Sequence, residues 1–142
     1  MILYLDSSAL VKLYVAEPES EQVRKLIARA KSVCTHLIGY AEICAAFGRA
    51  HRLGRVAAGA LPTVLRDFER DWQTMEIVGV SEALVRRAGQ VAVQFGLRGY
   101  DSVHLAAAET LARDVGNTAL FRFVAFDTGL TAAAGVLGFA GA

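Results

Sequence analysis

Two cysteines, two prolines and a net charge of only +1 mark what this 142-residue chain lacks. Cys34 and Cys44 form no CxxC pair, and His36, His51 and His104 complete no zinc-ligand spacing with them. Zinc ribbons and a disulfide framework are therefore excluded, leaving two thiols buried in a reducing compartment. The balance of 15 Lys+Arg against 14 Asp+Glu excludes the whole-surface basic field of a general nucleic-acid binder. Lysine itself is scarce, with three Lys against twelve Arg. Arginine suits bidentate contacts to phosphate or carboxylate, although a GC-rich genome produces the same bias. Long hydrophobic runs are also missing. The apolar start Ile2–Leu5 stops at Asp6 and reads as no secretory leader. The apolar tail Leu130–Ala142 is too short and glycine-rich to span ~30 Å of hydrocarbon. These absences point to a cytoplasmic protein without a membrane contact.

What is present is apolar and periodic. Hydrophobic residues make up 54% of the chain and charged residues 20%, a composition that excludes disorder and suits one domain over 1–142. Ile2–Leu5, Ser32–Thr35, Met75–Val80 and Phe121–Phe126 read as strands, and Val136–Phe139 reads as a fifth strand or a frayed tail. Between them lie helical patterns. Ser7 or Ser8 caps a helix Ala9–Val15, and Pro18 opens one whose apolar stripe is Val23, Leu26, Ile27 and Ala30. Leu37–Leu53 carries Leu37, Tyr40, Cys44 and Phe47. The next stripe is Leu61, Val64, Leu65, Phe68 and Trp72, with Pro62 either starting or kinking its helix. Ser81 caps Glu82–Phe95, Asp101 opens another helix, and Leu130–Gly135 forms the last. The alternation predicts an α/β fold, with a parallel sheet of four or five strands covered on both faces.

Four acids stand out on this framework. Asp6 and Asp127 directly follow apolar strands, where open parallel sheets bind ligands; each could instead simply cap the next helix. Glu42 is the only charge across the twelve positions Leu37–Gly48. Such an acid is costly to bury unless paired or bound to a cation, and a solvated helix edge is the alternative. Asp101 sits at a helix start, where a plain cap would also suffice. Taken together, the four meet the preference of Mg²⁺ or Mn²⁺ for oxygen ligands. A pair of such ions ~3.5–4 Å apart can activate water and stabilise the leaving oxygen of a phosphodiester. Without cations, two carboxylates ~4 Å apart would repel by about 4 kcal/mol at an effective dielectric near 20.

Around these acids the sequence resembles the PIN-domain family, specifically its VapC-type toxin ribonucleases. The resemblance rests on four blocks in family order: Tyr4-Leu5-Asp6-Ser7-Ser8-Ala9-Leu10, Thr35 to Glu42, Tyr100 to Ala108, and Phe126-Asp127-Thr128-Gly129-Leu130. It implies a three-layer α/β/α sandwich and cleavage of RNA dependent on Mg²⁺ or Mn²⁺. Asp6 and Asp101 would be the main metal ligands, Glu42 and Asp127 would complete the site partly through water, and Ser8 would orient a carboxylate or a water. It also implies a cognate VapB-like antitoxin and a homodimer or larger toxin–antitoxin complex; exposed apolar helix faces suggest the dimer independently. His36 stands where the family often has Ser, and Thr128 where it often has a charge. Arg49, Arg52, Arg55 and Arg98 are candidates for phosphate contacts, or solvated helix ends.

Two other classes compete with this reading. A catalytically silent RNA- or protein-binding module of the same fold is disfavoured by the presence of all four acids. Phosphotransfer through a strand-end aspartate lacks its partners: Ser8 stands where a dehalogenase-like phosphatase needs a second Asp, and no Lys follows Lys31 for a receiver domain.

Overall fold

A computed structural model of the chain describes residues 1–139. The four apolar runs become β1 (Ile2–Leu5), β2 (Ser32–His36), β3 (Glu76–Val78) and β4 (Phe121–Val124). All pair in parallel, in the order β3-β2-β1-β4. Seven α-helices join them: α1 (Ser7–Leu10), α2 (Ser20–Arg29), α3 (Gly39–Arg52), α4 (Leu61–Trp72), α5 (Glu82–Phe95), α6 (Gly99–Val115) and α7 (Thr128–Val136).

Strand alternation divides the core in two. Tyr4 lies in register with Cys34 on one side and Phe123 on the other. With Phe121 they face a layer built from Leu84, Ala88 and Val91 of α5, Leu105–Ala108 of α6, and Leu130 and Ala133 of α7. Leu3, Leu5 and Val124 point the opposite way, onto α1, α2, α3 and α4. A sheet buried on both faces requires strands that are apolar almost throughout, which is how these four read. The three-layer α/β/α sandwich is therefore present, with four strands among the described residues.

Several local expectations are corrected. Val136–Phe139 is neither strand nor frayed tail: Gly138 takes a left-handed φ of 86°, and the Phe139 amide donates back to the Ala134 carbonyl at 3.0 Å. That turn closes α7 and lays Phe139 against Phe121 and Phe123. The first helix begins at Ser7, tightens into a 3₁₀ turn over Val11–Leu13, and is capped by Asp6 rather than by a serine. Pro18 lies before α2, not in its first turn; Glu19 precedes the helix with a left-handed φ of 67°, its carboxylate 3.3 Å from the buried Lys12 Nζ. Pro62 starts α4 and does not kink it. In α3 the buried stripe is Gly39, Ile43, Phe47 and Ala50. Leu37 falls outside the helix and is exposed, Cys44 is only half-buried, and Tyr40 lies at the edge against Phe68 and Trp72. Met75, Gly79 and Val80 lie outside β3, and Ala125 and Phe126 outside β4.

The topology creates a crevice. The chain leaves β1 into α1 on one face of the sheet and leaves β4 into α7 on the other. Adjacent parallel strands whose exits diverge open a gap at their carboxyl ends, the usual ligand position in such sheets. Asp6 directly follows β1, and Asp127 lies three residues beyond the end of β4.

Candidate active site

Asp6 immediately follows β1 and is only 3% exposed. Its Oδ1 accepts from the Ser8 hydroxyl at 2.7 Å and from the Ala9 amide at 2.9 Å. Ser8 Oγ in turn accepts from the Phe126 amide at 3.0 Å, so this one hydroxyl ties the end of β1 to the segment after β4. Burial pushes the Asp6 carboxyl up to about 6, against the Ser8 hydrogen bond, the His104 ring and the Ala9 amide, with the negative charge of Asp101 adding to the rise.

Asp127 caps α7, its Oδ1 accepting from the Leu130 amide at 2.9 Å, and is 41% exposed. Asp101 is the third residue of α6, whose cap position is Arg98, so the plain-cap alternative does not hold. Arg98 Nε donates to Asp101 Oδ2 at 2.8 Å, and Arg98 Nη2 stands 3.8 Å from Asp127 Oδ2. One guanidinium thus lies between two of the acids.

Glu42 projects from the first turn of α3. Its Oε1 accepts from the Ser7 hydroxyl at 2.8 Å and lies 2.7 Å from His104 Nε2. Burial would raise its carboxyl, but His104, through hydrogen bond and charge, and the Ser7 hydroxyl hold it below the ordinary value. His104 Nδ1 lies 2.9 Å from the Tyr4 hydroxyl. Burial, with the charges of Asp6 and Glu42, pushes the Tyr4 phenol well above its ordinary range, so it keeps its proton.

A cleft of about 370 Å³ is lined by Glu42, Arg98, Gly99, Tyr100 and Asp101. The structure therefore brings Glu42 and Asp101 to one cleft, joins Asp101 to Asp127 through Arg98, and places Asp6 within electrostatic reach of Asp101. Asp6 and Asp127 do not line the cleft itself. Among the described residues, no three His, Cys, Asp or Glu side chains form a ready metal-holding group. The donor chemistry nonetheless fits a hard divalent cation, since carboxylate oxygens make up the whole set.

Of the cationic candidates, Arg98 reaches the acids. Arg55 pairs with Glu17 at 3.6 Å, while Arg49 and Arg52 lie ~10–15 Å beyond Glu42 along α3, at 1.5 Å per residue. His36 is a buried strand-end histidine whose Nδ1 accepts from the Ile38 amide at 3.0 Å. Burial, then His104, lowers its pKa. Two residues escaped the sequence reading: Ser7, read only as a possible cap, and His104, read only as part of a block. The available signal was a lone histidine in an alanine-rich helix, three residues after Asp101.

No helix among the described residues is long and apolar enough to cross a membrane. Comparison with known proteins matches residues 3–136 to the PIN domain family model. The chain is 32% identical to Ribonuclease VapC45 of Mycobacterium tuberculosis over 107 residues, covering 75% of this chain and 74% of that protein. It is 31% identical to Ribonuclease VapC46 of the same species over 142 residues, covering 97% and 94%. A solved toxin–antitoxin complex from Klebsiella pneumoniae contains a chain of the same fold, with a TM-score of 0.63 at 18% identity and coverage of 89% and 87%. By family model, sequence and fold, this chain belongs to the PIN domain family, in its VapC branch.

Proposed function

We propose that this chain is an endoribonuclease dependent on Mg²⁺ or Mn²⁺, the toxin of a toxin–antitoxin pair silenced by a cognate VapB-like antitoxin. The observation that carries this reading is the set of acids: a carboxyl buried at the end of β1, raised by burial and least by the charge of Asp101, which shares a cleft with Glu42. Burying a carboxylate beside another is unfavourable without a compensating cation. The ribonuclease names of the relatives fit that chemistry.

Asp6 and Asp101 would hold the ion, with Glu42 and Asp127 completing the site. Bound there, a divalent cation supplies activation of water and neutralises charge developing on a phosphodiester. The chain's own residues supply the rest. Ser8 fixes the carboxylate of Asp6. Arg98 stands at the rim, where a guanidinium can meet a phosphate oxygen. The same cleft is a receptor for an arginine or lysine of an antitoxin, since its Asp101 already takes a guanidinium, that of Arg98, at 2.8 Å. RNA as substrate, pairing of two copies and assembly into a larger toxin–antitoxin complex belong to this proposal.

The test is cleavage of RNA by the wild type, Asp6→Asn and Asp101→Asn with Mg²⁺, with Mn²⁺ and with a chelator. Wild-type product with either ion, none with chelator, and a loss of at least a hundredfold in each variant are expected. Equal activity in all three proteins would remove the assigned site; RNA binding without product would favour the silent module.

A further inference from the structure

We infer that His104 is a positioning residue, which with Tyr4 and Ser7 locks Glu42 so that one carboxylate oxygen is occupied and the other is left for the cleft. The inference rests on the metal-nuclease reading and assigns a role to residues outside the four acids.

A glutamate side chain at a helix start is free to rotate, and ordering it costs rotamer entropy. Here two donors converge on a single oxygen. Ser7 Oγ lies 2.8 Å and His104 Nε2 2.7 Å from Glu42 Oε1, and the two donors are 3.2 Å from each other. Among the described residues Oε2 takes no hydrogen bond, and Glu42 lines the cleft. The His104 ring is itself immobilised, being 1% exposed and 2.9 Å from the Tyr4 hydroxyl at Nδ1. Tyr4 is anchored in the central strand, its ring stacked on Phe123 at 5.5 Å. The ring is therefore held at both nitrogens, Nδ1 by the Tyr4 hydroxyl and Nε2 by the Glu42 carboxylate. The orientation of the ring is thus fixed from the sheet, and the chain of contacts runs β1 to α6 to α3.

The backbone is arranged to permit this. A Cβ on Gly39 would stand 3.2 Å from Thr35 Oγ1, 3.6 Å from His104 Cε1 and 3.8 Å from Ser7 Oγ. The tight neighbour is Thr35 Oγ1, so the glycine eases the seating of the start of α3 against the end of β2, beside the histidine. Partners behind a metal-ligating side chain orient it, and losing one typically costs about 10–100-fold in metal affinity or activity.

The experiment measures Mn²⁺ affinity of the RNA-free chain by calorimetry, together with kcat and KM for RNA. The proteins are wild type, His104→Leu, His104→Gln, Tyr4→Phe, Glu42→Gln and the double variant of Glu42→Gln with His104→Leu. His104→Leu is expected to weaken Mn²⁺ binding and lower kcat by about 10-fold or more, with KM for RNA within about twofold. His104→Gln, which keeps a donor for the same oxygen, is expected to recover most of both, and Tyr4→Phe to lose a few-fold. In the Glu42→Gln background His104→Leu is expected to add nothing. The inference is overturned if folded His104→Leu or Tyr4→Phe matches the wild type in Mn²⁺ affinity and kcat. It is equally overturned if the His104→Leu loss persists undiminished without the Glu42 carboxylate. Should His104→Leu fail to fold, Tyr4→Phe, which deletes one hydroxyl, decides alone. If the wild type binds Mn²⁺ and cleaves RNA while the variants match it, only the positioning role falls. A wild type that does neither overturns the nuclease reading and this inference with it.

Discussion

At the scale of one residue, Asp6 carries the conflict between folding and function. Its carboxyl is pulled out of water by the β1–α1 junction and pushed up to about 6 by that burial. An unfolded aspartate titrates near ~3.9. Between these values the folded protein holds a proton that the unfolded chain releases. The stability Asp6 contributes is therefore complete below pH ~4 and is lost as the pH rises through about 6. The difference of about two units corresponds to a penalty on the order of 3 kcal/mol at neutral pH. Asp6→Asn keeps an oxygen to accept from Ser8 and Ala9 but removes the charge. Metal-free Asp6→Asn is thus expected to melt several degrees above metal-free wild type at pH 7.5, at ~2–4 °C per kcal/mol for this size, with a flatter stability profile between pH 4 and 6. Added Mn²⁺ is expected to stabilise the wild type more than the variant. Coincident melts in chelator at pH 7.5 would show that no charge penalty is stored at this position.

At the scale of elements, the site depends on how α3 seats against the end of β2. Gly39 has ordinary helical geometry, so alanine there is favoured by helix propensity by up to ~1 kcal/mol. The new methyl, however, meets the Oγ1 of buried Thr35 at 3.2 Å, a contact that one of the two must relieve by a few tenths of an ångström. Gly39→Ala is expected to lift the first turn of α3, cost about 1–3 kcal/mol through overpacking, and lower RNA cleavage by more than the thermal shift alone predicts at a temperature where the variant is folded. Full cleavage by a folded Gly39→Ala would show that the seating tolerates movement. The same region shows what a sequence discloses. Asp6 stood out because an apolar run that stops at an acid marks a strand end, Asp127 because its apolar run also stops at an acid although β4 ends at Val124, and Glu42 because it is the only charge from Leu37 to Gly48. Ser7 and His104 were not, since a serine after a strand also suits a cap and a histidine among alanines also suits a core; their partners lie 35 and 62 residues away in sequence. The 3₁₀ turn after α1 was missed because three residues are too few to show a period. Val136–Phe139 misled because an apolar run cannot reveal that Gly138 turns the chain back.

At the scale of the whole molecule, a near-neutral chain divides its surface between an anionic crevice and an apolar face. Val85 and Val93 of α5 are exposed, Val93 by 89%, although a valine on a solvated helix face buries little apolar surface. Beside them runs a shallow depression lined by Val85, Ala88, Ala92, Tyr100 and Val103. Tyr100 and Gly99 border both this depression and the acidic cleft, so a second copy seated on the face would lie next to the site without filling it. Burying such a patch against itself is the isologous solution that most homodimers adopt, and the pairing would remove apolar area worth roughly 25 cal/mol per Å² from water. Sedimentation of the wild type is expected to give twice the single-chain mass of 15.2 kDa, and Val93→Glu to shift it towards the single chain. Val93 stands on α5 beside the depression, next to Gly89, Gln90 and Gln94; a carboxylate there charges the edge of the face while leaving the α5–α6 core contacts of Leu84, Ala88 and Val91 in place, so the melting temperature at high dilution is expected to change little. A wild type that sediments as one chain at micromolar concentration, or a Val93→Glu variant that pairs as well as the wild type, would remove this face from the assembly and leave the acidic crevice to act alone.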